Sequence, residues 1–121
     1  MPPGQRTGFE FASLRAAVET RDVDAWVGCF APDGEWMEYR PGNPPRDPRV
    51  LRGAAAIRAY LEELAPLPAE LRISHELVGE RRIAYRLTVT FPDGDRIVEH
   101  VISELDEHGL IASQVDVEMR D

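Results

Sequence analysis

The chain has 121 residues, of which 43% are hydrophobic and 30% charged, and its formal net charge is −8. This length supports one hydrophobic core, so we predict a flexible N-terminus over residues 1–8 and a single domain over residues 9–121. The negative charge argues against a nucleic-acid partner and against an anionic membrane surface, since basic groups bind both. No apolar run approaches the roughly 20 residues of a membrane span, and residues 1–8 hold no apolar signal segment, so we expect a cytoplasmic protein.

Three early segments show the apolar spacing of amphipathic helices. Phe11, Leu14 and Val18 recur at intervals of three or four residues, and Asp22 is a suitable cap for a second helix that follows at once. Such spacing indicates a helix with one buried face. We therefore predict three helices, near residues 10–20, 23–31 and 53–65.

The segment between the second and third helices combines a short strand with a long loop. Residues 35–39 are rich in aromatic side chains and follow the turn-forming sequence Pro32-Asp33-Gly34, which favours a strand. Residues 40–52 contain four prolines and predict a loop, and loops of this length often cover a site. Arginine forks in the loop could bind a carboxylate or phosphate, or they could simply be solvated charges: Arg40, Arg46, Arg49 and Arg52.

The second half of the chain has the pattern of consecutive hairpins. From Arg82 to Phe91 every odd-numbered position is apolar and alternates with mostly polar residues, so one face of that strand must be buried. Turn sequences separate four such segments, near residues 70–78, 82–91, 96–105 and 110–119. Helices early and a meander late predict an α+β domain, in which three helices lie across a curved antiparallel sheet and close a small-molecule pocket.

Several stretches resemble the nuclear transport factor 2-like superfamily, and most closely its SnoaL-like polyketide cyclase and ketosteroid isomerase branches. They are Asp22-Val23-Asp24-Ala25-Trp26, the run from Cys29 to Glu38, Leu51-Arg52-Gly53-Ala54, Glu99-His100-Val101 and Gly109-Leu110-Ile111. This resemblance covers nearly the whole chain. It implies a cone-shaped α+β barrel with a hydrophobic pocket, a mixed or antiparallel sheet, and a bacterial homodimer. The superfamily contains isomerases, cyclases and non-enzymatic binders, so fold alone does not decide the function.

The resemblance also assigns candidate catalytic positions. In ketosteroid isomerases, a carboxylate base works with a tyrosine and a protonated aspartic acid that hydrogen-bond the developing oxyanion. The base position falls on Glu38, whereas the two donor positions fall on Leu14 and Val101. Both oxyanion donors are therefore replaced by apolar residues, which argues against steroid isomerisation.

Two carboxyl groups are candidate catalytic residues. Glu38 shares a strand face with Trp36, and burial beside an indole would raise its pKa and suit it to proton transfer; the alternative is a rim carboxylate paired with a loop arginine. On the last strand, Gln114, Asp116 and Glu118 alternate with apolar residues. The resemblance directs this polar set into the pocket, whereas the pattern alone is that of a solvated strand face. SnoaL-like cyclases use a late-strand aspartate, but that position lies nearer Met119, so Asp116 is an inexact match.

These residues lead to one preferred function and one alternative. The preferred function is a cofactor-independent isomerase or cyclase that transfers a proton next to a carbonyl of a hydrophobic cyclic or polyketide-like substrate. The alternative is a non-catalytic ligand-binding or dimerisation module. Neither needs a metal, and no histidine has a partner at metal-ligand spacing. We expect these residues to contact the substrate: Trp36, Tyr60, Leu87, Val89, Phe91, Val101 and Gln114.

The outward-facing residues of the sheet are unusually apolar for a solvated surface. We therefore expect a homodimer to form through this face. The set that points outward is Thr88, Thr90, Val98, His100, Ile102, Val115 and Val117.

Overall fold

The structure is a computed structural model that describes residues 9–120. The expected flexible N-terminus therefore lies outside the described residues. Within them are three helices, α1 (Phe11–Thr20), α2 (Val23–Val27) and α3 (Ala54–Leu64). The same part of the chain holds six strands: β1 (Phe30–Tyr39), β2 (Arg49–Arg52), β3 (Glu70–Val78), β4 (Arg82–Thr90), β5 (Arg96–Leu105) and β6 (Ile111–Arg120).

All six strands belong to one curved, open sheet with the order β2-β1-β6-β5-β4-β3. Strands β3 to β6 form the antiparallel meander that the hairpin pattern predicted. Strand β1 joins the meander by pairing in parallel with β6, and β2 pairs antiparallel with the far side of β1. The sheet is therefore mixed, and the last strand lies at its centre.

The helices cover one face of this sheet, as predicted for the α+β fold. Helix α1 packs against β3, α3 packs against β1 and β2, and α2 lies between the other two helices. The apolar stripes of α1 and α3 are buried there, with Leu14, Ile57 and Leu61 at 1% exposure or less. No helix in the described part of the chain is long and apolar enough to cross a bilayer.

The second helix is shorter, and the first strand longer, than the sequence predicted. Asp22 caps α2 through a hydrogen bond from the Ala25 amide, but the helix ends at Val27 because Phe30 already pairs with Ile111 of β6. The Pro32-Asp33-Gly34 sequence does not break the strand. It forms an irregularity between Phe30 and Glu35, where a side chain at Gly34 would come within 2.9 Å of the Ile111 carbonyl oxygen.

The predicted loop over residues 40–52 was also partly wrong, because its last four residues form β2. The prolines of this segment all precede Arg49, so none removes a hydrogen-bond donor from the strand itself. The strand lies at the sheet edge and pairs Arg49 with Glu38 of β1. The end of the loop segment therefore places Arg49 next to Glu38, the candidate base.

Candidate active site

The register of the strands arranges the inward-facing residues in rows across the sheet. One row joins Tyr85 of β4, Val101 of β5, Asp116 of β6, Glu38 of β1 and Arg49 of β2. In the next row Leu87, Glu99 and Glu118 are neighbours. Side chains in register on one face of a sheet lie close together. The fold therefore collects four carboxyl groups from three adjacent strands.

Glu38 lies in an aromatic environment and is only 2% exposed. Trp36 stacks on Phe30 with ring centroids 5.8 Å apart and meets Tyr60 edge-on at 5.4 Å. The Arg40 Nη1 atom lies 3.7 Å from Glu38 Oε2. Among the described residues, no hydrogen bond of standard geometry reaches either Glu38 carboxylate oxygen. A buried carboxylate without such bonds is costly to ionise.

Burial raises the pKa of Glu38 above the usual value for glutamate, and the nearby Glu118 adds to this effect. The Tyr60 hydroxyl lies close enough to oppose the rise, as do the positive charges of Arg40 and Arg49. Burial and the Glu38 charge in turn raise the pKa of Tyr60. Tyr60 therefore remains a neutral phenol that can donate a hydrogen bond near the candidate base.

Asp116 and Glu99 form a second pair of acidic groups. Asp116 is 1% exposed, and neither of its carboxyl oxygens has a hydrogen-bond partner of standard geometry within the described chain. Burial and the adjacent Glu99 raise the pKa of Asp116. Burial also raises the pKa of Glu99, although the neighbouring Asp116 opposes that rise. Two such groups cannot both ionise easily, so the pair as a unit retains a proton.

A cavity of about 330 Å³ opens above these rows, between α3 and the sheet. Five of the predicted substrate-contacting residues are among those that line it: Trp36, Tyr60, Leu87, Val89 and Phe91. The other predicted site residues are buried without lining this cavity: Glu38, Asp116, Val101 and Gln114. In this structure the candidate base and acid thus lie behind the cavity wall.

Gln114 has a structural partner inside the sheet. It accepts a 3.0 Å hydrogen bond from the Ser103 hydroxyl, and both side chains are at most 3% exposed. This bond satisfies both groups without a ligand.

Sequence reasoning did not single out Glu99 and Glu118 as members of the site, although both line the cavity. The inward alternation of Ile97, Glu99 and Val101 was the available signal for Glu99. The sequence pattern placed Glu118 with the inward-facing residues of the last strand, but it did not identify Arg120 as the partner of Glu118. Arg120 Nε donates to Glu118 Oε2 at 3.0 Å, and Arg120 also lines the cavity.

Comparison with known protein families identifies the fold family. A model of the SnoaL-like domain matches residues 11–113, which is most of the chain. The chain belongs to the SnoaL-like family. A comparison with curated proteins finds no significant match for this SnoaL-like domain.

Several solved structures share the fold of this SnoaL-like domain. The Delta 5-3-ketosteroid isomerase of Mycobacterium sp. is 21% identical, with a TM-score of 0.65, and the match covers 92% of this chain and 95% of the isomerase. The epoxide hydrolase/cyclase-like enzyme SalBIII, which has a role in pyran ring formation in the polyether salinomycin, is also 21% identical. Its TM-score is 0.71, with coverage of 98% of this chain and 95% of SalBIII. A protein from Sphaerobacter thermophilus is 27% identical, with a TM-score of 0.68 and coverage of 92% and 94%.

The two residues that the family resemblance aligns with the oxyanion donors of ketosteroid isomerases are not polar. These residues, Leu14 and Val101, are apolar and almost fully buried. The ionisable groups that shift the pKa of Glu38 are instead Tyr60 of α3, Glu118 of β6, Arg40 and Arg49. Within the described residues, no group of three or more His, Cys, Asp or Glu side chains is arranged to hold a metal ion.

Proposed function

We propose that this SnoaL-like domain is a cofactor-independent isomerase or cyclase that moves a proton next to a carbonyl group of a hydrophobic cyclic or polyketide-like substrate. One observation carries the proposal: Glu38 is a buried carboxyl group with raised pKa, beside a neutral tyrosine and a cavity whose wall is mostly apolar. A carboxylate in such surroundings is a strong enough base to accept a proton from a carbon acid.

In the proposed reaction Glu38 removes a proton from the carbon next to the carbonyl. The electron pair of that C–H bond moves toward the carbonyl oxygen and forms an enolate. The Tyr60 hydroxyl, or the protonated carboxyl group of the Glu99–Asp116 pair, donates a hydrogen bond to that oxygen. Return of the proton from Glu38 to another carbon gives an isomer. Attack of the enolate carbon on a second carbonyl instead closes a ring, and the proton on Glu38 passes to the alkoxide that this attack forms. Atoms and charge balance in both outcomes without a cofactor.

The cavity wall supports the hydrophobic part of this assignment. Apolar and aromatic side chains from the sheet and from α3 make up most of it, including Trp36, Leu87, Val89 and Phe91. A cavity of about 330 Å³ falls at the lower end of the usual range for small-molecule sites. It suits a compact ring system better than a long chain.

A non-catalytic binding module is the second candidate function, and one observation favours it. Neither Glu38 nor Asp116 lines the cavity, so proton transfer requires side chains of the cavity wall to shift when a ligand enters. A binding module needs no such movement. The two candidates therefore differ in whether bound ketones exchange protons.

The test begins with a thermal-shift screen of polycyclic ketones and aromatic polyketides, since a ligand that binds the folded state raises the melting temperature. Ligands that bind are then followed by NMR in heavy water, where exchange of the protons next to the carbonyl reports proton removal. We expect Glu38→Gln to slow this exchange about a hundredfold or more while it preserves folding and binding. Glu35→Gln is the matched control, because Glu35 is exposed on the opposite face of β1.

Two results would contradict the proposal in different ways. If Glu38→Gln exchanges protons at nearly the rate of the native protein, Glu38 is not the base, and Asp116 becomes the next candidate. If the native protein binds ketones tightly but exchanges none of their protons, the binding module is the correct function.

A further inference from the structure

Three arginines line the cavity, and two of them have carboxylate neighbours. Arg120 donates to Glu118, as described above, and Arg40 lies 3.7 Å from Glu38 while its Nε donates to Asn43 Oδ1 at 3.0 Å. Arg49 differs from both. Within residues 9–120, no ion pair joins the Arg49 guanidinium to a carboxylate, although the residue is partly buried at the cavity.

Arg49 is nevertheless held in a defined position. Its Cζ atom lies 4.2 Å from the centre of the Tyr60 ring, and its backbone pairs with Glu38 across the β1–β2 ladder. Stacking on an aromatic ring uses the flat face of a guanidinium and leaves the N–H groups on its edge available. Those N–H groups match the two oxygens of a carboxylate. The site therefore presents an oriented anion-binding fork whose partner is not supplied by the described chain.

We propose that Arg49, assisted by Arg40, binds a carboxylate group of the substrate at the edge of the cavity, so that the pocket takes a hydrophobic keto acid rather than a neutral ketone. The keto part of this inference rests on the proposed function, whereas the acid part rests on Arg49 alone.

The acidic side chains of the cavity raise the opposite possibility, an ammonium ligand. Three glutamates line the cavity, but two of them are not free carboxylates. Glu118 is paired with Arg120, and burial raises the pKa of Glu99, which favours its neutral form. The third, Glu63, is solvent-exposed on α3. Among the described residues that line the cavity, Arg49 is therefore the partly buried cation with no ion-pair partner.

Carboxylate binding at this position would also act on the candidate base. Arg40 and Arg49 both lower the pKa of Glu38 by their positive charge. An anion placed between them and the solvent offsets that charge, so Glu38 becomes more basic when the substrate is bound. A neutral ketone would leave Glu38 less basic.

The experiment compares three probes that share one aromatic ketone: benzoylpropionate, its methyl ester, and an amine analogue with an ammonium group in place of the carboxylate. Dissociation constants are measured by NMR titration of the folded full-length protein. We expect benzoylpropionate to bind about ten to a hundred times more tightly than its ester, and the amine to bind no better than the ester. Arg49→Gln should abolish this preference, and Arg49→Lys should retain part of it because the charge remains.

Arg46→Gln is the matched control, because Arg46 is exposed in the same loop and does not line the cavity. It should keep the full preference for the acid. The inference is overturned if acid and ester bind equally, if the amine binds best, if no probe gives saturable shifts up to about 10 mM, or if folded Arg49→Gln retains the preference. Acid selectivity without proton exchange would leave the inference standing and refute only the enzymatic proposal.

Discussion

Replacement of Asp116 by asparagine measures the cost of keeping a carboxyl group inside the sheet. Asp116 is 1% exposed, and burial together with Glu99 raises its pKa well above the usual value for aspartate. Asparagine has nearly the same shape and resembles the protonated acid, since its amide group is also a neutral hydrogen-bond donor. The variant therefore removes the titration and retains the packing.

The sign of the effect follows from the direction of the pKa shift. Below the ordinary pKa of aspartate, Asp116 is protonated in both the folded and the unfolded chain, so its shifted pKa does not change the free energy of unfolding. As the pH rises between the unfolded and the folded pKa, only the unfolded chain loses the proton, so native stability falls. One retained proton corresponds to about 1.4 kcal/mol per pH unit, or about 4 kcal/mol over three pH units.

The assay is urea denaturation of both proteins at about pH 5 and about pH 8. Between pH 5 and pH 8, we expect the free energy of unfolding of Asp116→Asn to rise by up to about 4 kcal/mol relative to that of the native protein. At pH 8 the variant should therefore unfold at a higher urea concentration. Asp33→Asn is the control, because Asp33 is exposed, and it should follow the native protein at both pH values. Identical pH dependence in Asp116→Asn and the native protein would refute a buried proton at Asp116.

Two further predictions concern the core and the outer face of the sheet. Ile57→Ala should lower the free energy of unfolding by about 2–5 kcal/mol, because Ile57 is fully buried between α3 and the sheet, whereas a loss below about 1 kcal/mol in urea denaturation would contradict that packing. Light scattering should show a particle of twice the 13.6 kDa chain mass, and Ile102→Glu or Val117→Glu should reduce it to the chain mass, since both residues are about half exposed on the face predicted to dimerise. A native monomer would reject that interface.

Local sequence patterns predicted the meander and the helices because each has a clear period and distinct turn residues. The alternation from Arg82 to Phe91 could only place one face of a strand in the core. Strand β2 was missed because four residues are too few to show a period, and the prolines before Arg49 dominated the interpretation. The start of β1 was missed because Pro-Asp-Gly is equally suited to a chain break and to a strand irregularity.

Site residues could be predicted from the sequence only where alternation within a single strand set the direction of their side chains. Alternation alone put Trp36 and Glu38 on the same face, and the structure shows both buried. The inward direction of Asp116 required the family resemblance, because alternating polar residues usually indicate solvent. The Glu99–Asp116 pair depends on the register between β5 and β6, and the position of Arg49 depends on an edge strand. Neither is contained in any local pattern.

The inner face of β1, β5 and β6 departs from what packing alone would select. An apolar residue at Glu38, Glu99 or Asp116 would avoid the cost of burying a carboxyl group, which is about 1–3 kcal/mol even for a polar group that merely lacks its hydrogen bond. The nearby Ser103–Gln114 pair shows that this sheet can satisfy buried polar groups within itself. Glu38 and Asp116, the buried carboxyl groups without such partners, lie in one row of the sheet beside the cavity, and Arg49 lies in the same row. Because proteins tolerate such local costs mainly at functional sites, this end of the sheet is where chemistry is expected.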